Sequence, residues 1–382
     1  MISKRAQDIP PFIVMDVLEK AQEMERRGEQ IIHLEVGEPD FDTPACIKEA
    51  CFQALKNNET HYTHSLGLIE LREAICEHYY GKYGVNISPD RVIVTSGTSP
   101  AMFLLFSALL EKGDEVIISD PHYACYPNFI SFIEGIPTRI NVYEEDGFQY
   151  RPEEIRKKIT KKTKGVMINS PSNPTGNLLS RERMEEIASL GIPVISDEIY
   201  HGLVYEDMEH SILEFTDNAF VFNGFSKAYA MTGWRLGYLI APPEYIRPMQ
   251  KIQQNLFISA NSFVQRAGIA ALREAGDDIL NMKAIFNERR KFIIQRLKEI
   301  GLGITVEPTG AFYVLGNIKH ISDDSYATAF DILEKAKVGV TPGIDFGRNC
   351  EGYIRFSYAN SLENIAEGIR RIEAYLKEAV HN

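Results

Sequence analysis

Between residues 92 and 241, short apolar runs recur, each bounded by Gly, Pro, Asn, Asp or Ser. Val92–Thr95, Glu115–Ser119, Thr138–Val142, Gly165–Asn169, Pro193–Ser196, Phe220–Phe222 and Leu236–Ala241 read as buried strands. Helical periods lie among them: one segment follows the Gly97–Ser99 turn to about Leu110, and another covers Arg181–Ser189. Upstream, a helix is expected from Val14 to Arg27, with Val14, Val17, Leu18 and Ala21 on one face. Ile31–Val36 reads as a short strand and residues 37–44 as a tight polar loop; helices follow at Ala45–Lys56 and Leu68–Tyr83. After Ala241 the pattern turns helical, with a long amphipathic candidate from Asp278 to Ile300. Strands are then expected at Thr305–Glu307, Ala311–Leu315, Val338–Thr341 and Tyr353–Ser357, and a closing helix from Leu362 to Ala379.

Strand and helix patterns that alternate in this way predict an α/β fold with a mostly parallel, mixed sheet flanked by helices. In such sheets ligands gather at the carboxyl ends of the strands. Residues 301–382 read as a small α+β unit. No repeat or low-complexity linker separates the parts, so a shared interface is expected.

Composition narrows the function classes. A chain of 382 residues, 44% hydrophobic and 25% charged, folds around a large core. A net charge of -12 counts against a nucleic-acid or anionic-membrane surface. The five cysteines (46, 51, 76, 125, 350) include no C-x-x-C pair and read as reduced thiols. The opening Met-Ile-Ser-Lys-Arg-Ala-Gln-Asp lacks the apolar stretch of a signal peptide, and no apolar run approaches a membrane span. The expectation is a cytoplasmic protein.

The chemistry centres on Val221 to Ala241, where Lys227 and Arg235 lie in a segment of small residues between two buried strands. A desolvated Lys becomes a nucleophilic amine able to form a Schiff base, and the Arg fork suits a phosphate. The pair suggests a covalently held, phosphorylated aldehyde; two solvated loop charges are the alternative. Gly97-Thr98-Ser99 opens a helix after a strand, as an anion cradle or a plain cap. Asn173, framed by Pro171, Pro174 and Gly176, is an amide on a rigid turn or simply part of one. Asp197 ends a buried strand with Tyr200 three residues on, and needs a cationic or N–H partner, in a ligand or in the protein. Tyr123, after Asp120-Pro121, covers a flat ring or packs in the core. Arg355, in an apolar strand, wants a carboxylate from a substrate or from the protein itself.

Ser-Pro-Ser-Asn-Pro-Thr-Gly176, Ser-Asp-Glu-Ile-Tyr200 and Phe-Ser-Lys-Ala-Tyr-Ala-Met-Thr-Gly-Trp-Arg-Leu-Gly-Tyr238 occur together and in order. In this combination the chain resembles the class I/II aminotransferases, pyridoxal 5'-phosphate enzymes of fold type I and aspartate aminotransferase-like. The likeness extends to Val36-Gly-Glu-Pro-Asp-Phe-Asp-Thr-Pro44, Gly310-Ala-Phe-Tyr313, Thr341-Pro-Gly-Ile-Asp-Phe-Gly347 and the Arg355 strand. It implies an N-terminal arm with part of the small domain at 1–44, a large cofactor-binding domain at 45–280, and a C-terminal small domain at 281–382. Lys227 would form the internal aldimine and shuttle the proton. Asp197 would pair with the pyridine nitrogen, while Tyr200 and Asn173 would bond the phenolic oxygen. Arg235, Thr98 and Ser99 would bind the phosphate, and Tyr123 would stack on the ring. Arg355 would clamp the substrate carboxylate, and Gly37 would bring its backbone to the substrate. Tyr62 would reach the partner's phosphate across a homodimer with shared active sites, or be a surface residue in a turn. The Asp120–Pro121 and Asn173–Pro174 bonds are expected to be cis.

One departure stands out: many relatives carry a Ser where this chain has Gly224, so Ser226 is left without a role in the phosphate cup. The expected activity moves an amino group between an L-amino acid (aspartate, alanine, aromatic or similar) and a 2-oxo acid such as 2-oxoglutarate. A C–S β-lyase on the same scaffold is the alternative. A non-catalytic ligand-sensing regulator is a third reading, disfavoured by the acidic composition and by the presence of Lys227. The apolar segment Pro10–Met15 matches a part that in relatives closes over the substrate side chain, and predicts a donor range wider than the dicarboxylates.

Overall fold

In the computed structural model, which describes residues 2–380, twelve strands form: β1 Ile32–His33, β2 Val92–Thr95, β3 Glu115–Asp120, β4 Ile136–Asn141, β5 Thr163–Asn169, β6 Val194–Asp197, β7 Ala219–Gly224, β8 Gly237–Ile240, β9 Tyr313–Asn317, β10 Val338–Gly339, β11 Thr341–Pro342 and β12 Tyr353–Ser357. Seven make one sheet in the order β2-β8-β7-β6-β5-β3-β4. All run parallel except β8, which is antiparallel to both of its neighbours. Alternate residues of these strands enter two separate apolar cores. Val94, Ile117, Val166, Val194 and Val221 face one, and Ile93, Val116, Met167, Ile195 and Phe220 face the other. A strand buried on both faces has no polar position to alternate with, which explains the continuous apolar runs.

A three-stranded antiparallel sheet, β11-β12-β9, and the parallel pair β1-β10 complete the strand inventory among the described residues. The pairing of β1 with β10 joins the N-terminal segment to the C-terminal part of the chain. The expected helices form within a residue or two of their predicted bounds, for example Ile13–Arg26, Ala45–Lys56 and Gly276–Glu299.

Four strand expectations are corrected. No strand forms at Thr305–Glu307, where the Thr305 N–H donates to the Glu144 carboxylate at 3.0 Å rather than to a neighbouring strand. The strand expected at Ala311–Leu315 begins instead at Tyr313, since Ala311 has φ 54, outside the extended region. Ile31–Val36 shrinks to Ile32–His33. By Glu35 the main chain bonds side chains instead, its carbonyl accepting from Arg355 Nη2 at 2.5 Å and from Thr341 Oγ1 at 3.2 Å. Val338–Thr341 divides into β10 and β11, which belong to different sheets.

Candidate active site

The parallel strands deliver their carboxyl ends to one edge of the large sheet. Thr95 precedes the Gly97–Ser99 turn, Asp120 precedes Tyr123, and Asn169 stands beside Asp197 in register. Because β8 runs backwards, the turn from Gly224 to Gly237 lies at the same edge and carries Lys227 and Arg235. The three peptides Asp120–Pro121, Ser170–Pro171 and Asn173–Pro174 are cis, the middle one in addition to those expected. A cleft of ≈ 310 Å³ opens at this edge. It is lined by Gly37, Thr98, Ser99, Tyr123, Asn173, Asp197, Tyr200, Lys227, Arg235 and Arg355, with Ser226 beside them. Tyr62 is not among the lining residues of this chain and is 82% exposed.

Asp197 is buried at the end of β6. Its Oδ2 accepts from Tyr126 Oη at 2.6 Å and its Oδ1 from the Ile199 N–H at 3.2 Å. Burial pushes its carboxyl up to about 6, against the pull of those two donors and of the Lys227 charge. Burial pushes the Lys227 ammonium down to about 8. The Glu38 charge opposes this, Arg355 and Arg235 lower it further, and Asp197 raises it. The Lys227 amine donates to the Gly37 carbonyl at 2.5 Å.

One corner of the cleft is built from the start of a helix and the Arg235 side chain. The helix Thr98–Leu109 starts at Gly97 with no side chain capping it, so its first N–H groups are open to an anion. Gly97 has φ 98, and a Cβ there would lie 2.6 Å from Arg235 Nη2. The guanidinium therefore sits over the glycine at the helix start. A cation with an uncapped helix end, a buried carboxylate and a depressed lysine in one cleft fit the phosphate, ring nitrogen and aldehyde of pyridoxal phosphate.

Arg355 is buried on β12 and donates to Asn173 Oδ1 at 2.9 Å and to Thr341 Oγ1 at 3.1 Å. Its guanidinium lies between the rings of Tyr313 and Phe346, 4.4 and 4.8 Å from their centroids. Among the described residues its Nε has no hydrogen-bond partner.

Three contributors escaped the sequence reading. Tyr126 holds Asp197 from a helix 71 residues away in sequence. Tyr313 Oη lies 2.9 Å from Tyr200 Oη. It also explains Gly37, where a Cβ would lie 2.1 Å from that hydroxyl. Asn169 accepts from the Asn173 N–H at 2.8 Å and donates to the Asp197 carbonyl at 2.9 Å, tying two strand ends together. Tyr313 stood in the Gly310-Ala-Phe-Tyr motif, but nothing in that motif gave it a role; Tyr126 carried no local signal beyond Pro127 at a helix start.

Comparisons with known proteins identify the family. The family model for aminotransferase class I and II matches residues 29–372. A (5-formylfuran-3-yl)methyl phosphate transaminase of Methanocaldococcus jannaschii is 44% identical, over 99% of this chain and 100% of that protein. An aspartate aminotransferase of Pyrococcus horikoshii is 43% identical over 98% and 97%. The structure of the Thermus thermophilus aspartate aminotransferase with maleate superposes with a TM-score of 0.94 at 37% identity, covering 98% of this chain and 99% of that one. The fold, the lysine-bearing cleft and the match over nearly the whole length lead to one conclusion: the chain belongs to the class I and II aminotransferases, and is a pyridoxal-phosphate-dependent transaminase acting on amino and 2-oxo acids.

Proposed function

We propose that this transaminase takes donors beyond aspartate and glutamate, including at least one neutral or aromatic amino acid. The cation count of the cleft carries the reading. Among the described residues its lining holds Lys227, Arg235 and Arg355 and no other Lys or Arg. With Lys227 serving the cofactor, Arg235 the phosphate and Arg355 the substrate α-carboxylate, no cation of this chain remains for a second carboxylate. The wall offered instead is apolar: Phe12, Val14, Met15 and Leu18.

Pyridoxal phosphate, when bound, supplies an electron-withdrawing ring that stabilises negative charge at the substrate Cα. The protein's own parts follow from the cleft. Asp197, charged, would hold the ring nitrogen protonated, and Tyr126 holds Asp197. Tyr200 and Asn173 would hydrogen-bond the phenolic oxygen, while Thr98, Ser99 and Arg235 would grip the phosphate. Tyr123 would lie against the ring. Lys227 Nζ, depressed enough to be partly neutral, takes the proton from the substrate and returns it. Gly37 leaves its carbonyl at the substrate side, where Lys227 can donate to it.

The same reading divides the chain at residues 44 and 280 into an N-terminal arm with part of a small domain, a large domain and a C-terminal small domain. It assigns a homodimer in which Tyr62 completes the partner's phosphate cup; the exposed phenol supports this. The unpaired state of the cysteines supports a cytoplasmic setting. Among the described residues, no helix is long and apolar enough to cross a membrane.

A donor panel of aspartate, alanine, tyrosine and a branched-chain amino acid with 2-oxoglutarate, scored by glutamate formed, tests the reading. Turnover of tyrosine, alanine or the branched-chain donor is expected. Activity confined to aspartate refutes it.

A further inference from the structure

The helix Ile13–Arg26 carries the apolar wall, yet its own sequence does not secure its start. Its N-cap is Phe12, which offers no side-chain acceptor. The acceptor comes from the far end of the chain. Asp345 Oδ1 accepts from the Ile13 N–H at 3.1 Å, and Asp345 Oδ2 accepts from the Val14 N–H at 3.2 Å. The two oxygens of one carboxylate thus hold the first two amides of the helix, at the end where the helix dipole favours negative charge.

The turn that bears Asp345 is itself tied to the cleft. The Ile344 N–H donates to Ser325 Oγ at 3.1 Å, and the Phe346 carbonyl accepts from the His122 N–H at 2.9 Å. The Phe346 ring lies against Arg355. The Asn349 N–H donates at 3.0 Å to Asp120 Oδ1, at the end of β3. Gly347 packs so closely on the Asp120 carboxylate that a Cβ would come within 2.2 Å of it. The contacts therefore run from the floor of the cleft, through one short turn, to the first amides of the wall helix.

We infer that Asp345 is a positioning residue that sets the gap between the apolar wall and Arg355, and thereby the size of donor side chain the enzyme accepts. The inference rests on the reading that the donor's α-carboxylate binds Arg355. Alanine makes the same carboxylate contact and undergoes the same chemistry, but its methyl group does not extend to the wall. A longer donor does. Loss of the clamp therefore acts on the longer donor and spares alanine.

The test uses Asp345→Ala and Asp345→Asn in the full-length, cofactor-loaded enzyme. KM and kcat are measured for alanine and for the longest donor that the wild type turns over, and hydrogen exchange is followed at the start of the helix. Asp345→Ala is expected to raise KM for the longer donor by about tenfold, the size of a lost helix cap, with kcat and the alanine constants within about twofold. Asp345→Asn keeps one acceptor and falls between; it carries the comparison alone if the alanine variant does not fold. Exchange is expected to quicken at Ile13 and Val14. Equal losses for both donors overturn the inference, as does unchanged exchange with an unchanged donor ratio. A wild type that accepts only dicarboxylates overturns the donor range proposed above. This test then proceeds with glutamate as the longer donor and aspartate as the shorter.

Discussion

Replacing Tyr126 by Phe removes one oxygen and keeps the ring. That oxygen donates to Asp197 Oδ2 at 2.6 Å, between two side chains that are each only 3% exposed. A hydrogen bond to a charged acceptor contributes about 1.5–3 kcal/mol, equivalent to roughly one to two pKa units. The Asp197 carboxyl already stands at about 6 because burial disfavours its charge. Without the phenol, the Ile199 N–H remains as the donor and burial pushes the carboxyl higher still. A protonated ring nitrogen needs a charged partner, so cofactor affinity scales with the charged fraction of Asp197. At pH 6 that fraction is about one half in the wild type and about one tenth to one hundredth in Tyr126→Phe. The variant should therefore bind cofactor roughly five- to fiftyfold more weakly at pH 6, and about equally at pH 9, where both carboxyls are charged. Titrating cofactor into cofactor-free protein across this range, by absorbance, gives the ratio directly. A ratio independent of pH, or equal affinity at pH 6, would refute the assignment of Tyr126 as the support of the Asp197 charge.

Other residues give further tests. In cofactor-free protein, the rate of Lys227 modification by an amine-selective reagent should rise through pH 8, because the ammonium is unreactive below its depressed pKa; an inflection above pH 10 contradicts the burial argument. Gly97→Ala forces a side chain onto φ 98 and against Arg235, so the variant should lose cofactor on dialysis with about tenfold weaker retention; wild-type retention would clear Gly97 of this part. Sedimentation should show a dimer. Mixing Lys227→Ala chains with Tyr62→Phe chains should create hybrids with one site wild type at both positions, and that site should recover the tight cofactor binding that the Tyr62→Phe homodimer has lost. Hybrids with no such site would remove Tyr62 from the shared cup.

Much of this was legible along the chain, for a physical reason. Strands buried on both faces leave continuous apolar runs, and the residues at or just past their carboxyl ends, such as Asp197 and Thr98, are placed at the cleft by the parallel sheet itself. Lys227 and Arg235 were legible because a charge between buried strands needs a purpose. The unread parts depend on partners distant in sequence. Tyr126 looks like any aromatic at a helix start until it is seen to face Asp197. The strand expected at Ile31–Val36 was cut short because Arg355 and Thr341 take the Glu35 carbonyl, and no local pattern records a main chain bonded by remote side chains. Asp345 is silent for the same reason: its two amide partners lie more than three hundred residues away.

The reversal of β8 bears on how this protein can change. Gly224 pairs with Gly237 across the end of the sheet, and a Cβ on Gly237 would meet the backbone of Gly97 at 2.8 Å. The floor under the phosphate corner is thus bare main chain from three strand ends, with no rotamer to adjust. Lys227 and Arg235 hang from the single turn across that floor, so an inserted or deleted residue between Gly224 and Gly237 displaces these two cations of the cleft together. The wall helix, by contrast, lines the cleft with Val14, Met15 and Leu18, whose side chains can change without moving the main chain. Variation in donor preference should accumulate at Phe12, Val14, Met15 and Leu18, while the length of the turn stays constant.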